Sequence, residues 1–256
     1  MSNGNRLMNA IKTIGLVVAL GVSMSACSKS TSWKEEVLLH DGSKVIVTRS
    51  VEHGGRHEIG QEPPYKEQSL TFTMPGTSQT IRWEDHYSEN VGSANFLPLA
   101  FDIFRGRAYL VADTMGCLSY NKWRRPNPPY VIFEYNGKDW QRIQLSQLPA
   151  EIKTPNLLFS MPDTEVKRLG TSFITSEMIR QIINGYPQPE YRTILREPIP
   201  YGGQGQGCGE LIHTNDGWEG LGFFKSQHTY QACLSYCEMK AVSSNECPCA
   251  RFFKGK

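Results

Sequence analysis

The chain has almost no net charge, no apolar run of membrane-spanning length and no residue pattern that marks a known catalytic site. Its formal charge of +2 over 256 residues comes wholly from Arg6 and Lys12, so everything after residue 26 is formally neutral. Phosphate binding needs a net basic face, which excludes nucleic acid as a natural partner. The first apolar stretch, Ile14-Gly15-Leu16-Val17-Val18-Ala19-Leu20-Gly21-Val22, is too short to cross a bilayer as a stable helix, and no later run reaches that length either.

The absences extend to motifs. Gly202-Gly203-Gln204-Gly205-Gln206-Gly207 is dense in glycine. It sits at no strand-to-helix transition and has no Lys-Ser/Thr after the glycines, so it is not a phosphate cradle. His53, His57, Glu58 and His86 could gather around a divalent ion. The two glycines between the first two histidines remove the helical spacing that marks such a site, and a polar hairpin-end loop is the reading left. No metal or cofactor is expected.

What is present begins with an address. Arg6 and Lys12 precede the short apolar run, which ends in Ser23-Met24-Ser25-Ala26-Cys27; this is the layout of a signal peptide over residues 1–26. The small residues before a cysteine resemble the lipobox of bacterial lipoproteins, with Met24 where that family usually has Leu. The resemblance implies cleavage before Cys27, then lipid, palmitate included, on its thiol and new amino group, so that the chain meets the membrane through that anchor. Ser28 stands where an Asp would imply retention at the inner membrane, which points to an outer-membrane lipoprotein facing the periplasm. Residues 27–34, rich in Ser, Thr and Lys, read as a lipidated tether.

From residue 35 to residue 201 the pattern is that of a β-rich domain. Four glycine turns, Asp41-Gly42, Pro75-Gly76, Gly106 and Asn136-Gly137, each separate two runs of β-branched and aromatic residues. The turn glycines are 34, 30 and 31 residues apart. The fold expected is mainly β, an antiparallel meander of hairpins, sandwich or propeller-like, with Phe72, Ile81, Phe101, Ile103, Leu110, Ile132, Phe133 and Ile143 in the core. One short helix is expected over 173–184, capped by Thr175 or Ser176 and closed by Asn184-Gly185. Three prolines make 149–162 an extended loop with at most a strand at Leu157-Leu158-Phe159, and 191–196 reads as a further strand.

Residues 202–256 form a glycine-rich linker and a cysteine-rich C-terminal segment. Seven cysteines leave an even six once Cys27 is lipidated, and in an exported chain six favour disulfides. Cys117 lacks a marked histidine partner, so half of a disulfide is a stronger reading for it than a nucleophile. Cys247 and Cys249 flank one proline, too small a ring to bridge without strain. If Tyr230 opens a helix, Cys233 and Cys237 lie one turn apart with parallel side chains. An extended segment returning past that helix would staple both in a ladder, Cys237–Cys247 and Cys233–Cys249, which leaves Cys117 for Cys208. The rival, four thiolates of Cys233, Cys237, Cys247 and Cys249 around a metal, needs a reduced state that an oxidising compartment disfavours.

One surface stands out. Lys122, Trp123, Arg124, Arg125 and Tyr130 fall in a proline-stiffened stretch of the residue types enriched at binding hot spots; the bland alternative is a crossover whose Trp packs back on the sheet. Cys117-Leu118-Ser119-Tyr120-Asn121-Lys122-Trp123, Arg125-Pro126-Asn127-Pro128-Pro129-Tyr130-Val131 and Trp140-Gln141-Arg142-Ile143 together resemble a family of exported proteobacterial proteins, a likeness that implies no activity. Two functions follow for comparison. One is a non-enzymatic binding or scaffold role towards an envelope protein or glycan. The other is an envelope hydrolase acting on cell wall or glycan, whose acids would come from Asp102, Asp113, Glu134 and Asp139 converging across strands.

Overall fold

Glycine sets the hairpins. At Asp41-Gly42 the chain reverses with Gly42 at φ +84°, and the Ser43 N–H and hydroxyl both donate to the Asp41 carboxylate; β1 (Ser30–Leu38) and β2 (Lys44–His53) pair antiparallel through this turn. β3 (Tyr65–Thr73) and β4 (Thr80–Asp85) pair around Pro75-Gly76. Arg105 and Gly106 both take positive φ, 49° and 75°, the two-residue turn whose twist suits antiparallel strands, and join β5 (Phe96–Phe104) to β6 (Arg107–Thr114). β7 (Tyr130–Tyr135) and β8 (Trp140–Ile143) close around Asn136-Gly137. The computed structural model describes residues 30–55, 57–200 and 207–253; the stretch read as a signal peptide, Cys27 and Gly202 to Gly205 lie outside the described residues.

The hairpins divide between two sheets, ordered β4-β3-β2-β1-β9 and β5-β6-β7-β8, where β9 is Phe173–Ile174. Asp85 makes the break. Its buried carboxylate accepts from the Asn95 and Phe96 N–H groups and from the Gln68 and Asn95 amides, fastening the end of the first sheet to the start of the second. The sheets share a core containing Val37, Val47, Leu70, Phe72, Ile81 and Trp83 on one side and Phe101, Leu110 and Val131 on the other. Phe72 and Phe101 meet at 4.6 Å between ring centroids. One side chain clasps each flank of this sandwich. The Trp140 indole donates to Arg82 O of β4 at 2.9 Å. On the opposite flank the Asn156 amide donates to Leu38 O and Phe101 O and accepts from Phe101 N–H.

The second sheet is covered on both faces, which explains why adjacent Ile132 and Phe133 both pack inward. Ile132 joins Leu99, Val111, Leu148, Ile152, Tyr191 and Ile194 in a cluster on the far face, while Phe133 packs against the shared core. Of the expected core residues, Ile103, Phe133 and Ile143 are only half-buried; Ile103 and Ile143 stand at or next to the ends of their strands.

The inward face of the first sheet is longer than the second sheet can cover. Its remainder, with Trp33, Val51 and Tyr65, packs against Leu158 and against α2 (Pro162–Leu169) and α3 (Ser176–Asn184) through Val166, Ile179 and Ile183. Between the two apolar areas lies a buried ion pair, Arg49 to Glu35 at 3.0 Å, with side chains 2% and 0% exposed. Glu35 also accepts from the Trp33 indole and from Leu158 N–H, and Arg49 donates to Leu158 O.

Several expectations need correction. Residues 30–34 are strand rather than tether, because Trp33 alternates inward opposite Arg49 and is buried. The helix starts at Ser176 and not at 173; Phe173 and Ile174 instead pair parallel with β1, and Thr175 caps the helix by accepting from Met178 N–H. Leu157 to Phe159 are buried without forming a strand, since their backbone bonds go to Leu99 O, Glu35 and Arg49. Residues 191–196 are not a strand: Pro189–Tyr191 is a single 3-10 turn, and Tyr191 and Ile194 bury three residues apart instead of two. Short helices also appear at α1 (Gly116–Lys122) and α2.

The C-terminal segment has its own small core around Phe224, Cys233, Cys237, Val242 and Cys249. It comprises β10 (Leu211–Thr214), β11 (Gly217–Gly220), α4 (Leu221–Lys225), α5 (Tyr230–Met239) and α6 (Cys249–Phe252). The disulfides are Cys117–Cys208, Cys233–Cys249 and Cys237–Cys247, the pairs of the ladder expected from the sequence.

Candidate functional site

A cleft of about 600 Å³ opens at the seam between the sheets, lined by His40, Asp102, Glu151, Lys153, Ser176 and Arg180 among others. Each comes from a different kind of support. His40 leads into the first hairpin turn, Asp102 sits on edge strand β5, and Ser176 and Arg180 belong to the first turns of α3. The segment carrying Glu151 and Lys153 is held by Arg196, whose guanidinium donates to Leu148 O, Pro149 O and Ile152 O. Asn156, the clasp at this flank, lies on the cleft wall.

The cleft has one tightly held pair. Asp102 Oδ1 lies 2.6 Å from His40 Nδ1, and the same carboxylate accepts from the His40 and Ile103 N–H groups. Burial raises the Asp102 pKa above the ordinary carboxylate value, and the His40 hydrogen bonds offset only part of that. The carboxylate therefore orients the imidazole through Nδ1 and leaves Nε2 as the ring's other polar atom. Ser176 donates its hydroxyl to Glu36 at 2.8 Å, not to His40, so no nucleophile-to-base hydrogen bond is formed here. Glu177 and Arg180 are mutually paired, while Glu151 and Lys153 project exposed side chains of opposite sign.

The residues singled out at 122–130 serve the interior. Trp123 packs on Phe96 at 4.7 Å between centroids and carries the Arg142 guanidinium over its ring. Tyr130 is buried, donates to Glu190 O and accepts from Leu195 N–H. Lys122 donates to Ser88 and Asn95, and burial lowers its pKa. Arg125 donates to Cys208 O and Gly209 O, seating the C-terminal unit beside the Cys117–Cys208 bond. Arg124 alone of the five is exposed. The stretch is a packed crossover and does not present its aromatics.

The four acids considered for hydrolysis do not converge. Asp102 lines the cleft; Asp113 is fully buried in β6. Glu134 accepts from Arg107 and Tyr109, and Asp139 closes the Asn136-Gly137 turn. The histidines separate likewise: His53 lies between Pro63 O and Asp163, His57 against Gly55 O, and His86 against Glu67. Sequence reasoning misses His40, Glu151, Lys153, Ser176 and Arg180 as a group. The one local signal is the place of His40 beside a hairpin turn; Glu151 with Lys153 and Ser176 with Arg180 are near in the chain, but these segments meet His40 and Asp102 only in the fold, and the His40–Asp102 contact itself spans 62 residues. In comparisons with known proteins, no family model, no curated protein and no solved structure matches the chain.

Proposed function

We propose that this is a lipid-anchored outer-membrane protein facing the periplasm, which binds a partner without catalysis, and that the partner enters the cleft at the seam of the sheets. The observation that carries the reading is the charge of that cleft. His40 and Asp102 form a fixed polar floor, and Glu151 and Lys153 offer opposite charges at the rim, a pattern that suits a peptide segment of an envelope protein bearing both signs. Three disulfides, as in exported proteins, support the location.

Two measurements test this. Cys27→Ser is expected to move the protein from the membrane fraction to the soluble periplasm, and a variant that still sediments with membranes in high salt would overturn the anchor. In capture from detergent-solubilised envelopes, Lys153→Glu should lose the partner that the unaltered protein retains. Equal recovery by both would place binding elsewhere. The His40–Asp102 pair favours one second reading, an envelope hydrolase using His40 as base. That reading requires release of soluble fragments from cell-wall glycan, abolished by His40→Ala.

A further inference from the structure

The four C-terminal sulfurs form a single cluster. The Sγ atoms of Cys233, Cys237 and Cys249 lie within 4.8 Å of one another. The Sγ of Cys247, bonded to Cys237, is 3.3 Å from that of Cys249. Cys237 and Cys249, which are not bonded to each other, are 3.6 Å apart. In a tetrahedral zinc thiolate with bonds of about 2.3 Å the sulfurs stand roughly 3.8 Å apart, so the non-bonded separations already approach those of a closed metal site.

The supports are those such a site needs. Cys233 and Cys237 project from adjacent turns of α5, and Cys247 and Cys249 flank Pro248 where the chain returns. Cys233 and Cys249 are 0% exposed and Cys237 3%, with Phe224 and Val242 completing a dry wall. Cys117 and Cys208 are bonded to each other and stand outside this group.

We propose that, once its two disulfides are reduced, this cluster is a four-thiolate site for Zn²⁺ or another soft divalent ion. A phosphine reductant makes the balance explicit. Two phosphines and two waters convert the two disulfides to four thiols and two phosphine oxides, and binding one divalent ion releases four protons. The metal then ties α5 to the Cys247-Pro248-Cys249 segment as the two disulfides do in the oxidised chain. The inference is independent of the cleft and of the lipid anchor.

The test uses the full chain, reduced without oxygen by a phosphine and titrated with Co²⁺. One ion per chain is expected, with the intense thiolate-to-cobalt absorption of a tetrahedral four-sulfur site, displaced by Zn²⁺. Cys237→Ser and Cys249→Ser should each lose that spectrum, whereas Cys117→Ser with Cys208→Ser should retain it. Absence of the bands, or bands that survive Cys237→Ser, would overturn the proposal. Alkylation of the zinc-loaded, reduced chain gives a second readout that needs no variant. Cys117 and Cys208, and Cys27 wherever it carries no lipid, should react while Cys233, Cys237, Cys247 and Cys249 are protected, and labelling of these four equal to that of Cys117 and Cys208 would refute the site.

Discussion

Arg49→Met is expected to lower the unfolding free energy by about 3–5 kcal/mol, because it strands the Glu35 carboxylate in an interior where its partner is gone. For a chain of this size that is a fall in Tm of roughly 10 °C. Replacing both members of a buried pair with apolar residues often restores stability, but not here. Leu158 directs its N–H to Glu35 and its carbonyl to Arg49, and the Trp33 indole donates to Glu35. The double variant Glu35→Leu with Arg49→Met therefore orphans three further polar groups, each worth about 1–3 kcal/mol when buried unmade. It should remain at least ~2 kcal/mol below the original chain in urea unfolding. Full recovery in the double variant would show that the pair is only a charge pair and does not hold Leu158.

The second large effect is a pH dependence centred on Asp113. Burial pushes this carboxyl up to about 7, against hydrogen bonds from Thr114 N–H and Tyr191 and with Glu190 adding to the rise. A folded pKa raised above the unfolded one means that the fold favours the protonated form. Below about pH 4 both states hold the proton and nothing is lost. As pH rises from 4 to 7 the unfolded chain sheds a proton that the folded chain keeps, so stability falls, and above 7 the loss is complete. At about 1.36 kcal/mol per unit the upper bound is near 4 kcal/mol, and roughly 2–4 kcal/mol is expected. Asp113→Asn keeps the Oδ1 that accepts from Thr114 and removes the titration. It should match the original chain at pH 4 and exceed it at pH 8. Parallel stability profiles for the two proteins would contradict the assignment.

How far the sequence carries can be seen at particular residues. The Asp41-Gly42, Pro75-Gly76, Gly106 and Asn136-Gly137 turns are local chemistry, and each hairpin lies where its turn places it. The cysteine pairs were legible for the same reason, since ring size and helical spacing are short-range constraints. The division into two sheets was not, because it rests on Asp85 reaching Asn95 and Phe96 across a loop. Trp33 hid in a polar stretch whose composition is that of a linker, though its alternation with Ser32 and Lys34 already fits a strand. Tyr130 and Trp123 look like presented anchors by composition alone. Only the cover of residues 186–195 and the ring of Phe96 make them interior. The cleft was illegible as a whole, for it is assembled from a hairpin turn, an edge strand, a loop and a helix start.

The two clasps have a consequence for the company this protein keeps with itself. An uncovered edge strand offers a row of unpaired N–H and C=O groups to a second chain, and a sandwich of two open sheets has such edges on both flanks. Here Trp140 occupies a carbonyl on the β4 edge, and Asn156 occupies both the N–H and the carbonyl of Phe101 on β5. The exposed side chains of β4 add Arg82 and Glu84, paired with each other. A neighbouring molecule that tried to extend the first sheet at β4 or the second at β5 would first have to displace an indole or an amide already bonded there. Where copies of the protein crowd together, the sandwich is thereby guarded against growing into a continuous ribbon.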